Sequence, residues 1–179
     1  IIDKIIKPTL KGLESLNTNF IGFLYAGLMI IEDEPFLIEY NVRMGDPECQ
    51  VVLPRLETDL FKIIKYTVNN QLKKINIKWR KEKCMTIVLC SKGYPDFYEK
   101  NIKINNFDKI ILNENNYLFH AGTKIKENNI VAVGGRVLNF ISLSDNLTDA
   151  RQNIHNNLKK LDWNKGFYRK DIAFKVIDK

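Results

Sequence analysis

Apolar residues in the first part of the chain switch between helical and strand-like spacing. Isoleucines at helical spacing predict a helix over residues 1–16, although Pro8 interrupts the pattern. Two apolar runs on either side of a polar turn predict a β-hairpin with strands over residues 22–31 and 36–42. Beyond the hairpin, apolar positions recur at helical spacing and predict an amphipathic helix over residues 57–70.

The pattern changes after a stretch rich in Lys and Asn at residues 71–83, which we interpret as a boundary. Short apolar runs separated by turn residues then predict strands over residues 85–90, 100–104 and 117–120. A last strand is predicted over residues 130–133, and it continues past Gly134–Gly135 into residues 136–143. A late helix is predicted over residues 148–161. We therefore predict an α+β chain in two parts, residues 1–75 and residues 76–179.

Composition excludes several classes of protein. With 45% hydrophobic and 27% charged residues, the chain is neither disordered nor collagen-like, and three cysteines do not make a disulfide scaffold. The longest apolar run, residues 20–31, is shorter than the roughly 20 residues of a membrane helix. No secretory signal is visible near Ile1, and three cysteines without a CxxC pair indicate reduced thiols. We therefore expect a cytoplasmic protein with no membrane partner.

The formal net charge of +7 is distributed unevenly, because the basic excess lies wholly in residues 76–179. One explanation is composition drift in a chain crowded with Lys, Asn and Ile. The other is attraction of an anionic ligand or a nucleic acid. The basic residues are scattered and do not alternate with an aromatic stacking platform, which favours drift and predicts no nucleic-acid partner.

The segment that carries chemistry begins on the second predicted strand. Side chains two positions apart on a strand project from the same face, so Glu39 and Asn41 point together. A carboxylate and an amide oxygen side by side suit a hard divalent ion such as Mg²⁺, which completes its octahedron with phosphate oxygens and water. The alternative is an ordinary Glu-x-Asn pair on the solvent face of a hairpin.

The residues that follow add groups suited to a polyanion. Arg43 offers a planar fork of donors, and Gly45 allows close backbone approach or a positive φ. Asp46 is predicted as a helix N-cap with Pro47 at the first helical position, which would direct backbone N–H groups at an anion. A capped helix with only a structural role is the alternative.

These motifs resemble a known family. The segment Arg43–Gln50 is similar to the Arg-Phe-Gly-Asp-Pro-Glu-x-Gln signature of phosphoribosylamine–glycine ligase, or glycinamide ribonucleotide synthetase, of the ATP-grasp superfamily, and departs from it only at Met44. Further similar segments occur in the family's order: Phe23–Met29, Glu39–Asn41, Lys92–Pro95, Tyr98–Lys100, Phe119–Lys124, Gly134–Leu138 and Tyr168–Ile172. The resemblance covers nearly all 179 residues but only the C-terminal portion of the longer family protein.

The resemblance implies a fold and a reaction. Residues 1–75 would be the C-terminal part of an ATP-grasp domain, with antiparallel strands plus a helix. Residues 76–179 would be the family's C-terminal domain, α+β with short antiparallel strands and one helix. The reaction would be ATP-dependent ligation of glycine to 5-phosphoribosylamine through a glycyl phosphate, giving glycinamide ribonucleotide, ADP and phosphate in de novo purine (IMP) biosynthesis.

The resemblance also implies site residues and partners. Glu39 and Asn41 would hold Mg²⁺ or Mn²⁺, and with Arg43 and Gly45 would contact ATP as co-substrate. Arg43 would be a catalytic residue that steadies the transferring phosphoryl group or the acyl phosphate, and Asp46 would hold the glycine amino group or orient Arg43. Many superfamily members add an acid on the preceding strand, which is absent here, so the metal shell is lean. The missing N-terminal half would be the partner, and the fragment alone would be inactive.

Two other functions remain as alternatives. One is ligation of a different carboxylate–amine pair, and the other is a basic nucleic-acid-binding domain. A general-base role for His120 is possible, but a structural histidine bonded to a turn is favoured. His155 is predicted to be solvated, while Gly134-Gly135-Arg136 fits an anion site and a simple bulge or turn equally well.

Overall fold

A computed structural model describes residues 1–177. The helices are α1 (Lys7–Ser15), α2 (Cys49–Val52), α3 (Leu60–Val68), α4 (Leu147–Leu158) and α5 (Phe174–Ile177). The strands are β1 (Tyr25–Ile31), β2 (Glu34–Asn41), β3 (Lys83–Ser91), β4 (Ile102–Lys103), β5 (Asn116–His120), β6 (Thr123–Lys126), β7 (Asn129–Ala132), β8 (Arg136–Ser144) and β9 (Gly166–Phe167). Short 3₁₀ turns cover Leu53–Arg55, Leu72–Lys74 and Phe107–Lys109.

The contacts divide the chain into two compact units. The first unit contains residues 1–46 and 56–78, and the second contains residues 47–55 and the chain from Trp79 onward. The division into domains 1–75 and 76–179 stays a prediction. Among residues 1–177, no helix is both long and apolar enough to cross a membrane.

The first unit begins with a helix that continues through Pro8. A π-helical turn, Ile2–Ile6, runs directly into α1, and Pro8 lies in the first turn of α1. A proline is tolerated near the start of an α-helix because its fixed φ suits helical geometry. The interruption predicted at Pro8 is therefore wrong, and the proline marks the change from π-helical to α-helical geometry.

The predicted hairpin is present as β1 and β2, which pair antiparallel. Glu32 and Asp33 form the connection, and both have positive φ, 49° and 65°. Two residues of positive φ are typical of a type I′ turn, whose twist matches that of the flanking strands. Later in this unit, α3 begins where the Asp59 side chain accepts a hydrogen bond from the Lys62 N–H at 2.7 Å.

The second unit contains two antiparallel sheets. One has the strand order β5-β8-β3-β9, and the other has the order β4-β7-β6. Helix α4 packs on β8 and β3, and the core lies between the helix and this sheet. The side chains of this core that are at most 2% exposed are apolar: Ile87, Ile104, Ala132, Val137, Leu138, Phe140, Ala150 and Ile154.

The prediction of one strand passing through Gly134–Gly135 is wrong, because β7 and β8 belong to different sheets. The two glycines allow close approach of other groups at the change of sheet. The Val133 and Gly134 N–H groups both donate to the Gly122 carbonyl, at 2.8 and 3.2 Å. A Cβ on Gly135 would lie 2.1 Å from the Tyr94 ring. Strands β6 and β9 and helix α5 were not predicted.

Candidate active site

Strand β2 places Glu39 and Asn41 on one face. The Asn41 side-chain amide donates a hydrogen bond to Glu39 Oε1 at 3.0 Å. The alternation of side chains along a strand accounts for this pairing, and the direct contact agrees with the predicted common face. Glu39 is exposed and Asn41 is half-buried. The pair is therefore open to a ligand and is already aligned by its own hydrogen bond.

The residue between them secures the strand from the other side. The Tyr40 hydroxyl contacts the Thr9 hydroxyl and donates to the Ile5 carbonyl at 3.4 Å. Both partners belong to the N-terminal helical segment of the same unit. These contacts restrain the position of β2 and of the side chains on its opposite face.

A β-bulge lies beside Glu39. Gly27 pairs with Glu39 and Leu28 pairs with Leu37, so Ile38 is the extra residue. A Cβ on Gly27 would lie 3.0 Å from Glu39 Cγ, so the glycine leaves room for the carboxylate side chain. Bulges of this kind redirect side chains near functional sites. The spacing of residues within β2 does not predict the bulge, and Gly27 within an apolar strand is the one signal of it in the sequence.

The turn after β2 carries the remaining candidates. Arg43 is exposed, and its Nη1 donates to the Met44 carbonyl at 2.8 Å. Gly45 is buried, whereas Asp46 is exposed. The turn thus presents a guanidinium and a carboxylate within a few residues of Glu39 and Asn41. The candidates follow one another along β2 and the turn after it.

The helix start predicted at Asp46 is two residues too early. Helix α2 has Glu48 as its N-cap, and residues 46–48 form a turn before it. The Gln50 N–H donates to the Pro47 carbonyl at 3.2 Å, a three-residue span typical of such a turn. Pro47 therefore belongs to the turn, and the predicted N-cap role of Asp46 is wrong.

The donor set fits a hard divalent cation. Because Asn41 donates through Nδ2, its Oδ1 and the second carboxylate oxygen of Glu39 are left as oxygen ligands. Within residues 1–177, no group of three or more His, Cys, Asp or Glu side chains forms a metal cluster. A two-ligand protein shell suits Mg²⁺, which commonly takes most of its ligands from phosphate and water.

The other singled-out residues lie in the second unit. His120 Nδ1 is 2.9 Å from Thr123 Oγ1, and the ring stacks on Phe107, in keeping with a structural histidine at a turn. His155 is half-buried rather than solvated. Burial, and then the charges of Arg151 and Lys159, lower its pKa.

Two family models match the chain, one in its N-terminal part and one in its C-terminal part. The family model for the phosphoribosylglycinamide synthetase ATP-grasp (A) domain matches residues 1–49, and the model for the C domain of that synthetase matches residues 84–175. A phosphoribosylamine–glycine ligase from Brucella melitensis is 40% identical over 98% of the chain. A chloroplastic phosphoribosylamine–glycine ligase from Arabidopsis thaliana is 39% identical over 99% of the chain.

A solved structure supports the same relationship. The crystal structure of a phosphoribosylamine–glycine ligase from Thermotoga maritima has a TM-score of 0.80, with 30% identity over 95% of the chain. The chain spans 41% of the length of the Brucella and Thermotoga proteins and 34% of the Arabidopsis protein.

Fold, site and matches together define the class of protein: part of an ATP-grasp ligase domain joined to a C domain. Within that class, the chain belongs to the phosphoribosylglycinamide synthetase family, whose members include the phosphoribosylamine–glycine ligases.

Proposed function

We propose that this chain forms the metal- and phosphate-binding end of a phosphoribosylamine–glycine ligase. The enzyme joins glycine to 5-phosphoribosylamine through a glycyl phosphate, consumes ATP, and releases ADP and phosphate in purine biosynthesis. The observation that carries the proposal is the Glu39–Asn41 pair on β2, followed directly by Arg43, in a chain of this family. Its domains are residues 1–75 and residues 76–179.

The chemistry of the site follows from these side chains. Glu39 and Asn41 hold Mg²⁺ or Mn²⁺, which neutralises phosphate charge during phosphoryl transfer. The bulge at Ile38 and the contacts of Tyr40 keep the two ligands on one face, so little rearrangement is needed when the ion binds. ATP is the co-substrate.

Arg43 and Asp46 act on the reacting groups. The Arg43 guanidinium binds oxygens of the transferring phosphoryl group or of the acyl phosphate, as its planar fork suits. Gly45 brings the backbone close to the nucleotide. The exposed Asp46 carboxylate holds the glycine amino group or orients Arg43. Both side chains are exposed in this chain and so are accessible to a ligand.

The partner of this chain is the part of the ligase that it lacks. The hairpin leaves six large apolar side chains 42–64% exposed: Met29, Ile30, Ile31, Phe36, Leu37 and Ile38. Each hairpin strand has one edge that pairs with no other strand among residues 1–177. An isolated two-stranded hairpin is only marginally stable in water. The remaining part of the ligase therefore covers it.

A reducing, cytoplasmic location completes the proposal. Among residues 1–177, Cys49, Cys84 and Cys90 form no disulfide, which fits a compartment where disulfides do not persist.

Glu39→Gln in the full-length ligase tests the metal role. The substitution keeps the size of the side chain but removes the negative charge, so Mg²⁺-dependent formation of glycinamide ribonucleotide should fall about a hundredfold or more. Glu34→Gln on the same strand is the matched control, because Glu34 contacts Lys4 rather than Asn41. Equal activity of the two variants would contradict the role given to Glu39.

A further inference from the structure

A groove on the second unit lies on the surface of α4. It has a volume of about 320 Å³, and its lining combines side chains of α4 and its C-terminal extension with one residue of α5: Thr148, Arg151, Gln152, His155, Lys159 and Ile177. The lining holds three basic side chains and two neutral polar ones, and no carboxylate of residues 1–177 belongs to it. This composition distinguishes the groove from an ordinary mixed surface.

The three basic side chains of the lining lie close to one another on α4 and its C-terminal extension. Arg151, His155 and Lys159 recur every four residues, so they lie above one another on a single helix face. Like charges at this spacing are mutually destabilising. The His155 imidazole shows the effect, because burial and the charges of Arg151 and Lys159 lower its pKa. The Tyr168 hydroxyl, 3.4 Å from His155 Nδ1, brings no charge that would compensate.

Arg151 is positioned by its backbone contact rather than by an acid. Its Nη2 donates to the Lys170 carbonyl, and its Nε is buried without a hydrogen-bond partner in the described part of the chain. The charge of Arg151 helps to lower the pKa of Asp171. The two carboxylate oxygens of Asp171, however, accept hydrogen bonds from Arg169, at 3.1 Å from Nε and 2.6 Å from Nη2. The buried Nε is not accessible to a ligand, but the Nη groups of Arg151 carry N–H donors beyond the one given to Lys170, and these can bind another acceptor.

We propose that this groove binds a small anion that carries phosphate groups, through residues other than Glu39 and Asn41. Phosphate oxygens accept from the guanidinium of Arg151 and the ammonium of Lys159, and a protonated His155 adds a third charge-assisted hydrogen bond. Thr148 and Gln152 supply neutral hydrogen bonds to the same ligand. A bound anion relieves the repulsion among the three basic groups.

The two histidines of the chain provide the measurement. Imidazole resonances of His155 and His120 are followed by NMR from pH 5 to 8.5, with inorganic pyrophosphate or with chloride at equal ionic strength. Pyrophosphate in the groove should raise the pKa of His155 by about one unit, because an adjacent negative charge favours the imidazolium form. His120, at the β5–β6 turn, is the control, and its resonances should be the same in both salts. Equal shifts of the two histidines, or no shift of His155, would overturn the proposal.

Lys159→Gln tests the contact without disturbing the anchor at Arg151. It should weaken pyrophosphate binding by about tenfold, since a hydrogen bond from a charged group contributes about 1.5 kcal/mol or more. Lys73→Gln, at an exposed position of the first unit, removes the same charge and should leave the affinity unchanged. If both substitutions weaken pyrophosphate binding equally, the loss depends only on the net charge of the protein. That result would overturn the proposal of a specific site in the groove.

Discussion

At the scale of single residues, Cys84 illustrates how burial controls chemistry. It lies on β3 and lines a groove with Arg55 and Trp79. Burial raises the pKa of its thiol from 9.0 to about 11, although the charges of Arg55 and Arg80 act in the opposite direction. Desolvation is the larger effect because a thiolate loses its hydration when it is taken out of water. Cys84 is therefore a protonated, weakly nucleophilic thiol at neutral pH.

The raised pKa of Cys84 predicts a pH-dependent stability. The folded thiol keeps its proton up to about pH 11, whereas the unfolded chain loses it near pH 9. The contribution of Cys84 is complete below pH 9 and is lost as the pH rises towards 11. Urea unfolding of the wild type and of Cys84→Ala at several pH values checks this: the wild type should lose more stability between pH 9 and 11. Parallel pH profiles for the two proteins would contradict it.

Single residues also show what the sequence predicts about the site. The period-two spacing of Glu39 and Asn41 was sufficient to predict their common face, because alternation is intrinsic to any strand. The bulge at Ile38 depends on the register of β1 against β2, which the spacing within one strand does not contain. The environment of His155 likewise required the fold, because the helical pattern alone assigned it to a polar face.

At the scale of elements, local patterns and tertiary pairing contribute differently. The hairpin, α3 and α4 were predicted from periodicity and turn residues, and the structure contains all three, with shifted ends. The change of sheet between β7 and β8 was missed because both strands are apolar and adjacent in sequence. What separates them is the approach of Gly122 and Tyr94 from distant segments, which periodicity does not report.

This close approach predicts that Gly122→Ala will destabilise the second unit. The new Cβ would lie 2.6 Å from both the Arg136 carbonyl oxygen and Gly134 Cα, and backbone atoms cannot move aside as a flexible side chain can. We expect a loss of about 1–3 kcal/mol in the free energy of unfolding, typical of overpacking. Fluorescence of Trp79 and Trp163, which both belong to the second unit, follows the unfolding in urea.

The control for Gly122→Ala is Gly12→Ala in α1. A Cβ at Gly12 meets nothing within 4 Å, and alanine is the better helix former. The tryptophan transition should therefore be unchanged in this variant, because Gly12 belongs to the first unit. An unaltered transition in Gly122→Ala as well would show that the β5–β6 turn accommodates the methyl group.

At the scale of the whole molecule, the two units differ in how much apolar surface they bury. The second unit has a core of fully buried side chains between α4 and its main sheet. The first unit has few buried residues, Ile5 and Ile63 being its buried apolar side chains among residues 1–177, and its hairpin is apolar and exposed. Large exposed apolar patches mark interaction surfaces. The chain also spans only 41% of the Brucella relative.

The exposed hairpin predicts that the chain alone makes no glycinamide ribonucleotide, and that adding the rest of the ligase as a separate polypeptide restores turnover. Phe36→Asp should weaken this restoration at least about tenfold, because it places a charge on a surface that becomes desolvated. Phe97→Asp is the matched control, since Phe97 is 88% exposed and lies in the second unit. Turnover by the unmixed chain would contradict the first expectation. The two substitutions introduce the same charge and differ only in the surface that carries it. If turnover is restored equally with both variants, the hairpin is not part of the interface with the rest of the ligase.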